Sequence, residues 1–386
     1  MILYITVAVI SLILSMPVIS KRTMLGKRST VRSRQAYLNM VCLLASGLLL
    51  AAVSLLRINT GNDYVGYIEK FHDAFYNIHV VTEPGFNIIT KLVYWFTGYE
   101  AYLVVFAIFS IATVAVFLAA MYRDSRDYLL TFFLFMCFGY YFQSLNTMRY
   151  YLALAIVLYS LHYVRTKRYV AFVVTIVVAS MFHKSSLVVI PLFIIARLNL
   201  KRWHYIAAAV VALSGLVLKK QYLALIVKLY PTYVNEQEAL SLGSATLMSI
   251  IRIALVLACA LYIALNNKDD NEDESIKCEK KLYFNLNYMA LLLYTCFSFV
   301  PYLSRIGYFL IICQIYYIPM MIASISNDKK RKLLRLAVIV CGIVFFGIFL
   351  YKAYDISIRI LPYHTWLGKD IDFVPVVEYN FFDIWK

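Results

Sequence analysis

Residues 21–56 read KRTMLGKRSTVRSRQAYLNMVCLLASGLLLAAVSLL, and this stretch decides the fold. Its first part carries Lys21, Arg22, Lys27, Arg28, Arg32 and Arg34 with no acidic residue, and its second, from Tyr37 to Leu56, is almost unbroken apolar chain. A basic connection of this kind stays in the cytoplasm. An apolar run of about 17 to 25 residues, rising about 1.5 Å each, crosses the hydrocarbon as a helix. With residues 21–34 placed inside, every later run takes its direction from them.

The remainder repeats the pattern. The chain has 386 residues, 62% hydrophobic and 15% charged, whereas a soluble domain is about half apolar and a quarter charged. These proportions predict an all-α fold: one polytopic transmembrane bundle over residues 1–386, with about 12 helices by the length rule. Met1–Ser20 has no basic residue before it and no small-residue cleavage site, and is followed at once by Lys21 and Arg22. It reads as a retained helix with its N-terminus outside. The net charge of +16 is concentrated in the short inside connections, which argues against nucleic acid as a partner. Six cysteines lie in apolar runs and Cys278 in a charged loop, so no disulfide framework is implied.

Alternation places Arg57–Thr97 outside, with Asp63, Glu69, Asp73 and Glu83 in it. The connection at Asn146–Arg149, the stretch Lys219–Ala245, the turn Pro301–Arg305 and a C-terminal tail, 353–386, are outside as well. The loop 266–281 and the basic cluster Asn327–Arg335 are inside. Tyr169–Ala196 has only 28 residues between basic clusters, and two full crossings would need about 40. A short or re-entrant hairpin resolves this, its tip being Phe182-His183-Lys184-Ser185-Ser186. Such a tip requires protein or a water-filled cavity around it. The rival, one long tilted helix, is opposed by Arg197, Lys201 and Arg202 after it.

The first outer loop begins Arg57-Ile-Asn-Thr-Gly61-Asn-Asp63-Tyr64-Val-Gly-Tyr67. A turn at Gly61 lets Asp63 point back toward Arg57; a helix cap beside a snorkelling arginine is the plainer alternative. Glu83-Pro-Gly-Phe86 opens an aromatic amphipathic stretch suited to an interfacial helix. Arg149 starts a further helix and otherwise serves as its anchor. His183, at the hairpin tip, is functional by default, with a satisfied structural histidine as the competing role. Guanidinium forks match phosphate oxygens, so Arg57, Arg149 and Arg305 converging on one cavity suit a lipid diphosphate, with a carboxylate or histidine activating a hydroxyl. No Walker loop, dinucleotide fingerprint or metal-ligand pattern is found, and neither a metal nor a cofactor is expected. Asp370-Ile-Asp372 is read as incidental.

Taken in order, Arg57...Gly61-Asn-Asp63-Tyr64...Tyr67, Glu83-Pro-Gly-Phe86, Asn146-Thr-Met-Arg149-Tyr-Tyr-Leu-Ala153, His183-Lys-Ser-Ser186 and Ser304-Arg305 resemble the EpsG family of Wzy-like bacterial exopolysaccharide and O-antigen polymerases, with a weaker echo at Pro362-Tyr363. The resemblance implies a metal- and nucleotide-independent membrane glycosyltransferase of the bacterial cytoplasmic membrane. It would move a growing glycan from a polyprenyl diphosphate carrier to a lipid-linked repeat unit on the outer face. His183, Asp63 and Glu83 become the catalytic candidates. Arg57, Tyr64, Tyr67, Asn146, Arg149, Ser186, Arg305 and Tyr363 become the substrate-binding ones. The expected partners are a polyprenyl diphosphate-linked oligosaccharide, membrane lipid, a chain-length regulator and a flippase. The chain departs from the pattern at Asn62, where such families carry threonine, and at Tyr150, where glutamine often follows the arginine. The alternatives are an O-antigen ligase or other lipid-linked glycosyl or acyl transferase, and a transporter. The last would favour midplane charges in broken helices and an internal repeat.

Overall fold

The computed structural model describes residues 1–24, 29–76, 82–222, 224, 243–266, 273–298, 303–354 and 358–368. Parts of the expected loops 57–97 and 266–281, most of the tail 353–386, and Asp370 and Asp372 lie outside these residues. Among the described residues the regular structure is helical, with one isolated antiparallel bridge between Arg57 and Thr365.

Among the described residues five helices are long and apolar enough to cross a membrane: Arg32–Leu55, Tyr102–Asp124, Leu247–Asn266, Arg305–Ala323 and Asp328–Lys352. Four shorter apolar helices accompany them: Ile2–Ser15, Tyr128–Cys137, Tyr169–Ser180 and Arg202–Val217. The expected figure of about 12 full crossings is therefore not reached by length. Breaks inside the apolar runs are the reason. Gly139, at φ +76°, separates Tyr128–Cys137 from the single turn Tyr140–Gln143, and a Cβ there would lie 2.9 Å from the Phe349 ring. The expected first crossing, Met1–Ser20, is helical only over Ile2–Ser15, about 21 Å at 1.5 Å per residue.

The chain divides into two compact units, and the division falls within three helices. The first unit comprises residues 1–159, 177–184 and 333–386. Its helices are α1 (Ile2–Ser15), α2 (Lys21–Met24), α3 (Ser29–Leu55), α4 (Tyr64–Phe75), α5 (Pro84–Thr97), α6 (Tyr102–Asp124), α7 (Tyr128–Cys137) and α8 (Tyr140–Gln143). To these it adds most of α9 (Met148–Arg165) and most of the helix Asp328–Lys352. Helix α3 packs on α1 and α6, α1 on α7, and the pair α4–α5 on itself and, through α5, on α6. Ser20 donates to the Ser125 carbonyl at 2.7 Å, and Asn39 bridges to the Ile19 carbonyl at 2.7 Å, so polar side chains tie helix ends where apolar contact is not selective.

Residues 160–176 and 185–332 form the second unit. Its hub is the helix Glu274–Cys296, against which three neighbouring helices and the two-part helix Leu303–Ala323 pack. Amides cross-link this hub. Asn285 donates to the Ala196 carbonyl at 2.8 Å and accepts from the Tyr205 hydroxyl at 2.6 Å, and Gln314 donates to Asn287 at 2.6 Å. In an apolar medium such bonds select one helix pairing over others. The expected hairpin is present. Tyr169–Ser180 and Val189–Arg197 are joined through a 3-10 turn, Lys184–Val188, and Phe172 stacks on Phe193 at 6.0 Å. At 1.5 Å per residue its arms reach about 18 and 14 Å, each short of a crossing of about 30 Å.

Candidate active site

The connection after α3 is held by a distant part of the chain. Backbone groups of Leu56–Asn62 pair with residues 358–366: Ile58 donates to the His364 carbonyl, Gly61 to Arg359 and Trp366 to Leu56, at 2.9 to 3.1 Å. Tyr363 donates its hydroxyl to the Val53 carbonyl at 2.9 Å, and Tyr4 bonds the Ile360 carbonyl at 2.7 Å. Tyr363 thus acts on the site as a clamp on α3.

Within this loop Gly61 sits at φ +98°, and a Cβ there would lie 2.8 Å from the Cα of Asn146. Only glycine satisfies both conditions. The close approach lets the Asn146 side-chain carbonyl accept from the Asp63 N–H at 3.0 Å, which fixes the start of α4 against the segment that opens α9. Asp63 is the N-cap residue of α4, although its carboxylate makes no capping bond.

Arg57 corrects an expectation. Among the described residues no ion pair joins it to Asp63. The side chain turns inward and is 2% exposed, with Nη1 donating to the Ser54 carbonyl at 3.3 Å and the guanidinium 5.3 Å from the Phe106 ring. The bridge to Thr365 sets the Arg57 backbone so that its side chain faces the interior. Burial lowers the Arg57 pKa and the surrounding phenols of Tyr64, Tyr141, Tyr4 and Tyr67 oppose that shift; an arginine remains cationic throughout.

Aromatic rings carry this arrangement from α4 to α5 and α6. Tyr64 stacks on Phe106 at 4.8 Å, Phe71 on Phe86 at 5.2 Å, and Phe106 meets the edges of Tyr67 and Phe71. Arg149, one residue into α9, lies over the other side of the same cluster, 5.2 Å from Phe86 and 5.5 Å from Tyr67. The Tyr67 phenol is raised by burial, with Arg149 opposing, so it stays protonated at neutral pH and is able to donate.

The hairpin tip meets the start of α5. Gly85 donates its N–H to the Met181 carbonyl at 2.8 Å, and a Cβ at Gly85 would lie the same distance from that oxygen. Glu83, just before α5, reaches out to both neighbours. One carboxylate oxygen accepts from Arg149 Nη1 and the other from the Lys184 backbone N–H at 3.2 Å. His183 stands beside this pair, half-buried, with its ring edge-on to Tyr150 at 5.2 Å. The first unit therefore brings together Arg57, Asp63, Tyr64, Tyr67, Glu83, Asn146, Arg149, His183 and Tyr363.

Ser186, fully buried, and Arg305 belong to the second unit, so the three arginines do not all fall in one unit. Sequence reasoning missed the Lys184 N–H, the ring cluster and the pairing of residues 358–366. It also missed the reason for Gly85. A glycine in the first turn of a helix costs about 1 kcal/mol relative to alanine, and this was the available sign that another backbone approaches there. Among the described residues no group of three His, Cys, Asp or Glu side chains is placed to hold a metal ion. The arrangement sets a guanidinium and a backbone N–H around one carboxylate, the kind of donor pair that grips an anion, with the His183 imidazole next along the chain.

The model of the EpsG family matches residues 40–365 of this chain. No curated protein and no solved structure matches it.

Proposed function

Since the chain belongs to the EpsG family, associated with polysaccharide polymerisation, we propose that it is a polymerase. It transfers a growing glycan from a polyprenyl diphosphate carrier to the end of a second lipid-linked repeat unit, on the outer face of the bacterial cytoplasmic membrane. The observation that carries this reading is the meeting of Arg149, Glu83 and the Lys184 N–H at the hairpin tip that carries His183, from three segments far apart in the chain.

In this reading the donor diphosphate docks on Arg149, whose side chain is 15% exposed and backed by the Tyr67 and Phe86 rings. A guanidinium held flat keeps two parallel donors for phosphate oxygens and stabilises the charge that grows on the leaving diphosphate. Arg57, almost wholly buried, contributes its positive field from behind the rings. The acceptor hydroxyl attacks the anomeric carbon as the bond from that carbon to the diphosphate oxygen breaks. The hydroxyl proton passes to His183, and Asp63 or Glu83 is the alternative base. Asn146, Tyr64 and Tyr363 hold the loop and helix ends in place.

Reconstitution of the purified protein in liposomes with a lipid-linked repeat unit tests the reading. A ladder of products spaced by one repeat is expected. Transfer of a single unit to an unrelated lipid, without a ladder, would assign the chain to ligation instead.

A further inference from the structure

The side chain of Glu83 has no role in its own helix. It precedes Pro84, in the N-cap position of α5, and makes no capping bond; the residues favoured there are Ser, Thr, Asp and Asn, whose short side chains reach the first-turn N–H groups. Its longer arm is committed elsewhere, to Arg149 Nη1 and the Lys184 N–H. One guanidinium and one backbone N–H, drawn from two different segments, make the kind of donor pair that phosphate oxygens occupy.

That seat is incompletely filled. Arg149 Nε is buried and has no hydrogen-bond partner among the described residues. Glu83 engages the guanidinium through one nitrogen, not through the two-pronged contact that a fork allows. Both side chains are mostly desolvated yet reachable, with 12% of Glu83 and 15% of Arg149 exposed. The guanidinium is also held independently of the carboxylate, by the faces of Phe86 and Tyr67. Loss of the acid would therefore leave the cation in position.

We infer that Glu83 is an internal ligand of an anion seat formed by Arg149 and the Lys184 N–H, and that a phosphate or diphosphate group binds there by displacing it. The inference deepens the polymerase reading by naming what the donor must exchange with. Between turnovers the carboxylate neutralises a cation that would otherwise stand desolvated and uncompensated. An arriving diphosphate, with more oxygens and more charge, outcompetes it. Ligands with a single weak negative charge do not, so the exchange also selects the donor.

The test is binding of inorganic pyrophosphate to the full-length protein in detergent micelles, by calorimetry. Glu83→Gln removes the competing charge and should bind pyrophosphate about tenfold more tightly than the unaltered protein, equivalent to roughly 1.4 kcal/mol. The double variant Glu83→Gln, Arg149→Gln should lose that gain. Equal or weaker binding by Glu83→Gln would show that the carboxylate builds the seat and would overturn the inference. Should Glu83→Gln not fold, the unaltered protein gives the answer: carbodiimide labelling of Glu83, read by mass spectrometry, should rise when pyrophosphate is added. No rise overturns the exchange. Neither measurement needs polymer, so exchange without a product ladder would sink the polymerase reading alone, and a ladder without exchange would sink this inference alone.

Discussion

Arg149 touches an acid on one side and two aromatic rings on the other, and its planar shape is what allows both. Lysine keeps the charge but loses the fork and the stacking surface. Arg149→Lys is therefore expected to lower polymer formation by tenfold or more, about 1.4 kcal/mol of transition-state stabilisation, with unchanged membrane expression; full activity would remove the diphosphate role. At His183 the imidazole and the backbone have separate duties, since it is the next residue's N–H that bonds Glu83. His183→Gln retains a hydrogen-bonding group that cannot act as a base. It should be nearly as inactive as His183→Ala in the ladder assay, and a wild-type rate for the glutamine variant would leave the histidine only a positioning role.

At the scale of elements, the site depends on how closely the hairpin tip settles on the start of α5. Gly85→Ala places a methyl 2.8 Å from the Met181 carbonyl and 3.1 Å from the Phe182 ring. Overpacking of that order costs about 1–3 kcal/mol, and here it pushes Lys184 away from Glu83. Polymer formation should fall sharply, with a modest loss of thermal stability; a variant of normal activity would show that the tip does not need to be seated. The tail segment is a second such element. Deleting residues 358 onward removes the backbone partners of Ile58, Gly61 and Leu56 and exposes the Arg57 loop. Loss of product with normal insertion into the membrane is expected, and retained activity would limit the segment to stabilisation. Both elements show where legibility in the sequence ended. The Glu83-Pro-Gly-Phe86 and His183 motifs stand out singly, yet nothing local indicates that they touch.

For the molecule as a whole, orientation is the property on which the proposed chemistry depends. In the proposed orientation the basic segment 21–34 lies inside and the Arg57 loop outside, as the positive-inside pattern of the sequence suggests. A membrane-impermeant thiol reagent applied to intact cells should label Asn62→Cys, at an exposed position, but not Ser33→Cys. The reverse pattern would put the site on the wrong side for a polyprenyl-linked repeat unit.

Much of this protein follows from the sequence alone. The abundance of apolar runs requires helices, because a backbone in lipid must bond to itself. The 28 residues between the basic clusters around the His183 segment were too few for two crossings, and the structure has two short arms there. Chain order likewise singled out Arg57, Asp63, Glu83, Arg149 and His183. Only the tertiary structure decided what each of these side chains meets. Arg57 turned inward because residues 358–366 pair with its loop, and Glu83 met Arg149 and the Lys184 N–H across 66 and 101 residues of chain. Helical periodicity relates residues three or four apart and is silent about partners at such separations. Those are set by ring stacking, by glycine clearances of a few tenths of an ångström, and by backbone groups that had to find partners somewhere.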